Sequence, residues 1–363
     1  MATEAEPWSP NWAVAPGEIL AEVLEERGIS QAELARRMDR PTKTINEIIK
    51  AKTALTPETA LQLELTLGVS AATWTGLEST YRQQLARQNA ARSLASEADL
   101  LRAFPVSALE RHGVIEVGTS PGHRVLNLLR FFGVSSPKGW QNSWLSPKAA
   151  FRESNAFRSA PESVATWLRW GQIESAKLVL APYSVDKFAE VLRSARSWTR
   201  ERPVSLVLDR LKQSCAESGV AFVLIPELPG LRLSGACHYL DDGHPIIQLT
   251  LRHKRDDQLW FTFFHEAGHL VTNPYHVYVD SADEVSSDDE ELVADKFARD
   301  ALIPPDQWKV FVRAADFSES SVRQFSRLLE VAPGVVVGRL QRENLIPRAV
   351  LNGLKMPGGW TSD

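Results

Sequence analysis

The chain has 363 residues, with 41 Lys and Arg against 45 Asp and Glu and a formal net charge of −4. This length predicts two or three domains, each with its own core. The two cysteines, Cys215 and Cys237, exclude a disulfide framework and are expected to be buried thiols. An acidic, polar N-terminus and the lack of a membrane-length apolar run predict a cytoplasmic protein with no membrane partner.

Short helices are the first elements that the sequence predicts, at 17–28, 30–38 and 42–50. Ser30 and Glu33 have the spacing of a capping box at the start of the second helix. The last two helices are joined by a tight turn at Asp39, which predicts a helix-turn-helix unit. Residues 30–52 hold six basic and three acidic side chains, and this local charge of +3 favours contact with phosphate.

Residues 16–85 resemble the XRE-type helix-turn-helix of HigA-like antitoxins. The similarity lies in Pro16–Leu20, in Ser30–Ile49 and in Leu55–Glu64. It implies a five-helix bundle that binds double-stranded promoter DNA, usually as a homodimer. The implied DNA contacts are Gln31, Thr42, Lys43, Thr44, Asn46 and Lys50. The alternative is a protein-docking module, because Glu47 on the recognition face opposes phosphate.

The region 87–204 is predicted to be a helical linker or middle domain. A polar linking helix is expected over 87–101, then a loop-rich stretch marked by prolines, then further helices. These prolines and helices are Pro121, Pro137, Pro147, 162–170 and 185–199.

Aromatic residues alternate with arginine in this middle region, at 130–132, 151–152 and 167–170. The pattern favours core aromatics with surface arginines. The alternative is a single-stranded nucleic acid that stacks on the rings and acts as a trigger.

The C-terminal part contains the motif His265-Glu266-Ala267-Gly268-His269, after the aromatic run 260–264. Helical geometry places residues i and i+4 on one face, so both imidazoles can bind one ion. Zinc binds neutral His nitrogens, and Glu266 would serve as the general base. The motif predicts one Zn²⁺ per chain and a metalloprotease.

A second helix is expected to supply the third ligand. Ser287 and Glu290 predict its capping box, and Glu291 and Asp295 share one face four residues apart. Glu291 would leave one coordination position for water, and Asp295 would accept the other ring N–H of a ligand His. Glu290, about 100° around the helix, is the alternative ligand.

A β-hairpin is predicted before the motif, with strands at 231–240 and 245–251 around Asp241-Asp242-Gly243. A strand beside a metal cleft can hold an extended peptide through its main chain. Hydrolysis of a peptide also requires a donor to the developing oxyanion. The candidate donors are Tyr275, His276 and Tyr278.

Residues 205–345 resemble the ImmA/IrrE family of metallo-endopeptidases. The similarity lies in Phe261–Leu270 and in Glu291–Pro304. By position it implies that His265, His269 and Glu291 bind zinc and that Glu266 is the base, in a small gluzincin-like α+β domain. Relatives often have Asn where this chain has Asp295, and a carboxylate is the stronger partner for an imidazole.

The predicted fold is therefore multidomain and mainly α-helical. The expected segments are a flexible N-terminus 1–15, a helix-turn-helix domain 16–86, a middle domain 87–204, a metallopeptidase domain 205–345 and a C-terminal tail 346–363. The expected function is a DNA-bound zinc endopeptidase that cleaves a repressor or antitoxin, in stress or mobile-element control. The alternative is an antitoxin-like transcription regulator whose metal domain senses or only supports folding.

Overall fold

The computed structural model describes residues 14–145, 160–231, 233–250, 255–272, 278–281 and 289–357, with backbone only at 278–281 and 290. The chain divides into two compact units. These units are Met1–Asp99 with Gly118–Leu126, and Leu100–Val117 with Asn127–Asp363. The predicted region 87–204 is thus shared between them. Among the described helices, none is long and apolar enough to cross a bilayer.

The first unit contains the five helices that the sequence predicts at its N-terminus. They are α1 (Pro16–Glu26), α2 (Gln31–Arg37), α3 (Thr42–Ile49), α4 (Pro57–Leu67) and α5 (Ala71–Leu94). Their apolar faces bury a common core, with Leu20, Leu34, Ile45, Leu63 and Trp74 all 0% exposed. Asp39, with φ of 52°, makes the left-handed turn between α2 and α3. The five-helix bundle is confirmed.

Two local predictions in this part of the chain are wrong. Ser30 Oγ accepts a hydrogen bond from the Glu33 amide at 3.1 Å, but the Glu33 carboxylate pairs with Arg37 and Arg36 instead of completing the capping box. The polar helix expected to begin at Arg87 is the end of α5, which continues to Leu94 because no glycine or proline lies between Leu77 and Leu94.

Helices also replace the predicted loop-rich stretch. Further along the chain lie α6 (Leu100–Ala103), α7 (Val106–Arg111), α8 (Pro121–Phe132), α9 (Pro137–Trp144), α10 (Pro161–Ser175), α11 (Val185–Trp198) and α12 (Val204–Glu217). Pro121 and Pro137 begin helices, because proline lacks an N–H that the first turn would leave unpaired. Pro147 lies outside the described residues.

A four-stranded mixed sheet organises the second unit. Its strands are β1 (Ala221–Ile225), β2 (Leu233–Tyr239), β3 (Pro245–Thr250) and β4 (Tyr278–Ser281), in the order β1-β3-β2-β4. Strands β2 and β3 form the predicted hairpin, with Cys237 opposite Ile247 and Tyr239 opposite Pro245. Strand β1 is parallel to β3, and β4 is antiparallel to β2.

Both faces of this sheet are covered by helices. Successive side chains of a strand point to opposite sides, so β1, β2 and β3 each contribute to two cores. One face packs Phe222, Cys237 and Ile247 into a core with C-terminal helices. Those helices are α13 (Asp256–Thr272), α14 (Asp289–Leu302), α15 (Pro305–Ala314), α16 (Glu319–Leu329) and α17 (Pro333–Arg342). The other face packs Val223 and Ile246 against middle-region helices such as α10.

The aromatic residues of the middle region belong to this second core. Phe131, Phe132 and Trp170 are each 5% exposed, and Trp167 is 1% exposed. The Arg169 guanidinium donates to the Phe131 carbonyl at 2.9 Å. Rings in the interior cannot stack on bases, so the single-stranded nucleic acid alternative is wrong for these residues. Residues 151–152 lie outside the described part of the chain.

The segment after residue 345 packs on the second unit, and to residue 357 it is not a free tail. Ile346 and Leu354 are buried, and the Asp256 amide donates to the Met356 carbonyl at 3.0 Å. Lys355 Nζ lies 2.6 Å from Asp257 Oδ2, and these side chains are 10% and 7% exposed. The first turn of α13 is thus fixed by the C-terminal segment.

Replacing Lys355 by methionine should leave the buried Asp257 carboxylate without its cation. Breaking a buried pair from one side costs about 3–5 kcal/mol. We expect that loss in the free energy of unfolding, measured by urea denaturation. Lys309→Met is the control, because its pair with Asp306 is exposed and should contribute about 0–1 kcal/mol. Equal losses in the two variants would contradict the account.

Candidate functional site

Two imidazoles face each other on α13. His265 and His269 lie one turn apart, their ring centroids are 4.8 Å apart, and their Nε2 atoms are 3.2 Å apart. Phe263 and Phe264 of the same helix are fully buried in the core between α13 and the sheet. This packing fixes the rotation of α13 and directs both histidines toward α14.

Glu291, in the first turn of α14, brings a carboxylate to the same point. Glu291 Oε2 lies 3.1 Å from His265 Nε2, and Oε1 lies 3.4 Å from His269 Nε2. Burial raises the pKa of the Glu291 carboxyl, but the contacts with His265 and His269 outweigh it and the pKa is lowered. The carboxylate is therefore ionised at neutral pH, which is the form that binds a cation.

The spacing of these three side chains suits a small divalent cation. Their ligand atoms all lie within 4.8 Å of one another, and the closest pairs are 3.1–3.4 Å apart. Ligand atoms about 2.0–2.2 Å from a tetrahedral zinc ion lie about 3.3–3.6 Å from each other. Two nitrogens and one carboxylate are also the donors that zinc prefers. The residues therefore fit a zinc ion.

Small residues allow the two helices to approach closely enough for this convergence. Gly268 lies inside the motif, and a β-carbon there would be 3.1 Å from Phe297 Cδ1 and 3.2 Å from Ala294 Cα. Ala267, Ala294 and Ala298 are each 0% exposed. A larger residue at position 268 would separate α13 from α14 and move Glu291 away from the histidines.

Asp295 holds the other nitrogen of His265. Its Oδ1 lies 3.0 Å from His265 Nδ1, so Nδ1 is the donor and Nε2 is left for the cation. Burial raises the pKa of Asp295, but the hydrogen bond from His265 and the nearby Arg342 charge outweigh this and lower it. The contact to Arg342 is one that the sequence does not predict.

Glu266 lies next to His265, and its side chain is fully buried. It packs against Gly235 of β2, where a β-carbon would lie 2.9 Å from both Cγ and Cδ of Glu266. Gly235 therefore provides the space that the carboxylate occupies. The role of Gly235 is not predictable from the sequence, because nothing local connects a strand glycine with a helix more than twenty positions later.

Several predicted site residues cannot be placed. Tyr275, His276 and Ser287 lie outside the described residues. The backbone of Tyr278 pairs with Cys237 between β4 and β2, but its side chain is not described, and neither is that of Glu290. The oxyanion donor, the second capping box and the alternative third ligand therefore stay predictions.

The predicted DNA contacts lie on α2 and α3 of the first unit. Thr42, Lys43 and Lys50 are exposed, and Gln31, Thr44 and Asn46 are half-buried. The Asn46 amide donates to Gln31 Oε1 at 3.2 Å, which orients both side chains on one surface. The side chain of Lys43 is 85% exposed, and its Nζ lies 3.9 Å from Glu47 Oε1. Glu47 therefore forms an ion pair with a lysine of its own helix.

Comparison with known proteins identifies this N-terminal part. A helix-turn-helix family profile matches residues 20–74. The uncharacterized HTH-type transcriptional regulator YddM of Escherichia coli is 36% identical over 66 residues, or 18% of this chain and 70% of that protein. Virulence-associated protein I of Dichelobacter nodosus is 35% identical over 78 residues, or 21% of this chain and 72% of that protein. The chain belongs to the helix-turn-helix family.

The helix-turn-helix domain is thus of the type found in transcription regulators, and the predicted helix-turn-helix domain is confirmed. A solved addiction module antidote protein of a HigA family from Coxiella burnetii is 29% identical to this helix-turn-helix protein. The match covers 23% of this chain and 94% of that one, with a TM-score of 0.22.

Replacing Gly235 by alanine should disturb the pocket of Glu266. Inserting a methyl group into a packed interior costs about 1–3 kcal/mol, and we expect that loss in the free energy of unfolding. Gly353→Ala is the matched control, because a β-carbon at Gly353 meets nothing within 4 Å. If urea denaturation finds Gly235→Ala as stable as Gly353→Ala, the result would contradict the close packing of Glu266 against Gly235 of β2.

Proposed function

We propose that this helix-turn-helix protein is a zinc-dependent endopeptidase that binds double-stranded DNA through its N-terminal domain. The observation that carries the proposal is the convergence of His265, His269 and Glu291, with the buried Glu266 next to His265 in the sequence. A general base adjacent to three such ligands is the arrangement that metal-assisted hydrolysis requires. The similarity of residues 205–345 to ImmA/IrrE peptidases supports the same reading.

In this mechanism the protein side chains hold the metal and move one proton. His265 Nε2, His269 Nε2 and one Glu291 oxygen would hold the ion, and Asp295 keeps His265 in the required tautomer. Bound zinc would polarise the scissile carbonyl and lower the pKa of water. Glu266 takes a proton from the attacking water and gives it to the amide nitrogen. The carbonyl carbon gains a C–O bond, and the C–N bond breaks.

The proposed substrate is a protein, a DNA-binding repressor or antitoxin. Its cleavage would switch gene expression under stress or in the control of a mobile element. This substrate class comes from the family similarity, and the helix-turn-helix domain supports it because DNA binding would concentrate the peptidase near promoter-bound proteins. Homodimerisation would suit a palindromic operator.

A second candidate function is supported by the burial of the site. Glu266 is 0% exposed, His269 1% and His265 4%. Structural zinc sites are closed, whereas catalytic sites keep an open position. In this alternative the chain is a HigA-like transcription regulator whose metal domain is a sensor or supports folding. Metal analysis combined with a loss-of-base variant separates the two functions.

Glu266→Gln should retain one zinc per chain and lose cleavage, because the amide cannot accept the proton. Glu291→Ala should lose zinc, because only two of the three protein ligands, the imidazoles, would remain. Zinc is measured by plasma mass spectrometry of the purified full chain. Cleavage is measured by mass spectrometry of the new protein N- and C-termini that hydrolysis creates, compared between cells that carry the wild-type chain and cells that carry Glu266→Gln. Identical termini in the two cell types, with zinc present in both proteins, would favour the regulator function.

Lys43 and Asn46 are expected to contact DNA in different ways. Lys43→Ala should reduce by about one the magnitude of the negative slope of log affinity against log salt, measured on the promoter region of the gene that encodes this chain. Asn46→Ala should weaken binding to the preferred sequence by about 1–3 kcal/mol. Gel shifts at several salt concentrations measure both effects, and Lys187→Ala, exposed on α11 in the second unit, is the control. A wild-type chain without a salt-sensitive complex would favour the docking-module alternative.

A further inference from the structure

Arg342, at the end of α17, lies beside the candidate metal centre although it is distant from it in sequence. Its Nη2 donates to both oxygens of Asp295, at 3.1 and 2.8 Å. Asp295 in turn accepts from Nδ1 of His265 at 3.0 Å. We propose that Arg342 is a positioning residue for the metal centre, which orients His265 through Asp295 and so raises the affinity for zinc. The inference rests on the proposed zinc function.

A second contact holds the guanidinium in place. Arg342 Cζ lies 4.2 Å from the centroid of the Phe261 ring. Phe261 precedes His265 by one turn of α13, and the two ring centroids are 6.2 Å apart. Because an arginine plane can stack on an aromatic ring while its edge donates hydrogen bonds, Phe261 fixes the plane and Asp295 fixes the edge.

These contacts differ from those of an ordinary surface ion pair. The side chain of Arg342 is 51% exposed, but that of its partner Asp295 is only 20% exposed and is shared with the histidine His265. An exposed pair contributes about 0–1 kcal/mol because both side chains remain mobile. Here the carboxylate is held from two sides, so its freedom to rotate away from His265 is reduced.

The consequence concerns the geometry of one ligand. His265 Nε2 points at the centre only while the ring keeps the orientation that the Nδ1 hydrogen bond imposes. Loss of a partner that orients a metal-binding histidine typically weakens metal affinity about 10–100-fold. Without Arg342, Asp295 would remain but could adopt other rotamers, so the expected effect lies at the lower end of that range.

The test measures the zinc dissociation constant of the full chain by competition with a chromophoric chelator. Arg342→Ala should raise this constant about tenfold. Arg342→Lys should raise it less, since an ammonium can donate to Asp295 but cannot stack in the same way. Arg323→Ala is the matched control, because Arg323 is 47% exposed in an ion pair with Glu319 on α16. Thermal unfolding of the chelator-treated proteins checks that each variant is folded.

A double-mutant cycle with Asp295→Asn shows whether Arg342 acts through Asp295. In the Asp295→Asn background, adding Arg342→Ala should change the zinc constant less than twofold, because the connection is already broken. An unchanged constant in Arg342→Ala, or effects that multiply fully in the double variant, would overturn the inference while leaving the zinc site in place. A wild-type chain that binds no zinc would remove the proposed site and the inference with it.

Discussion

The close packing of α13 against α14 is the constraint on which the rest of the second unit depends. The small residues Gly268, Ala294 and Ala298 keep the distance between the two helices short. The side chains at positions 265, 269 and 291 therefore meet at one point. The core beneath α13 fixes its rotation through Phe263 and Phe264. Apolar packing therefore creates the polar site, since the helices would lie farther apart with larger residues at the contact.

Other parts of the unit hold the ends and sides of this helix pair. The C-terminal segment fixes the start of α13 through Met356 and Lys355. Strand β2 leaves room for Glu266 at Gly235. Middle-region helices cover the opposite face of the sheet, so β1 and β3 are buried on both sides. The site is therefore supported by the whole second unit.

The sequence predicts the structural features that depend on residues close together in the chain. The first three N-terminal helices, the β2–β3 hairpin and the buried cysteines follow from helical period, turn residues and composition, and the structure confirms them. Long-range contacts were missed: nothing near Arg342 or Gly235 in sequence points to Asp295 or Glu266. The alternation of aromatic and arginine residues favoured rings in the core, and the burial of Phe131, Phe132, Trp167 and Trp170 confirms this interpretation. Proline was misread because it breaks helices in their interior but also begins them.

The central claim is that two imidazoles and one carboxylate bind a single zinc ion. X-ray absorption at the zinc edge of the purified full chain tests it most directly. The account predicts one zinc per chain with nitrogen and oxygen neighbours at about 2.0–2.1 Å, including imidazole signals, and no sulfur. A chain purified without zinc, or zinc with sulfur neighbours at about 2.3 Å, would contradict it, because His265, His269 and Glu291 supply no sulfur.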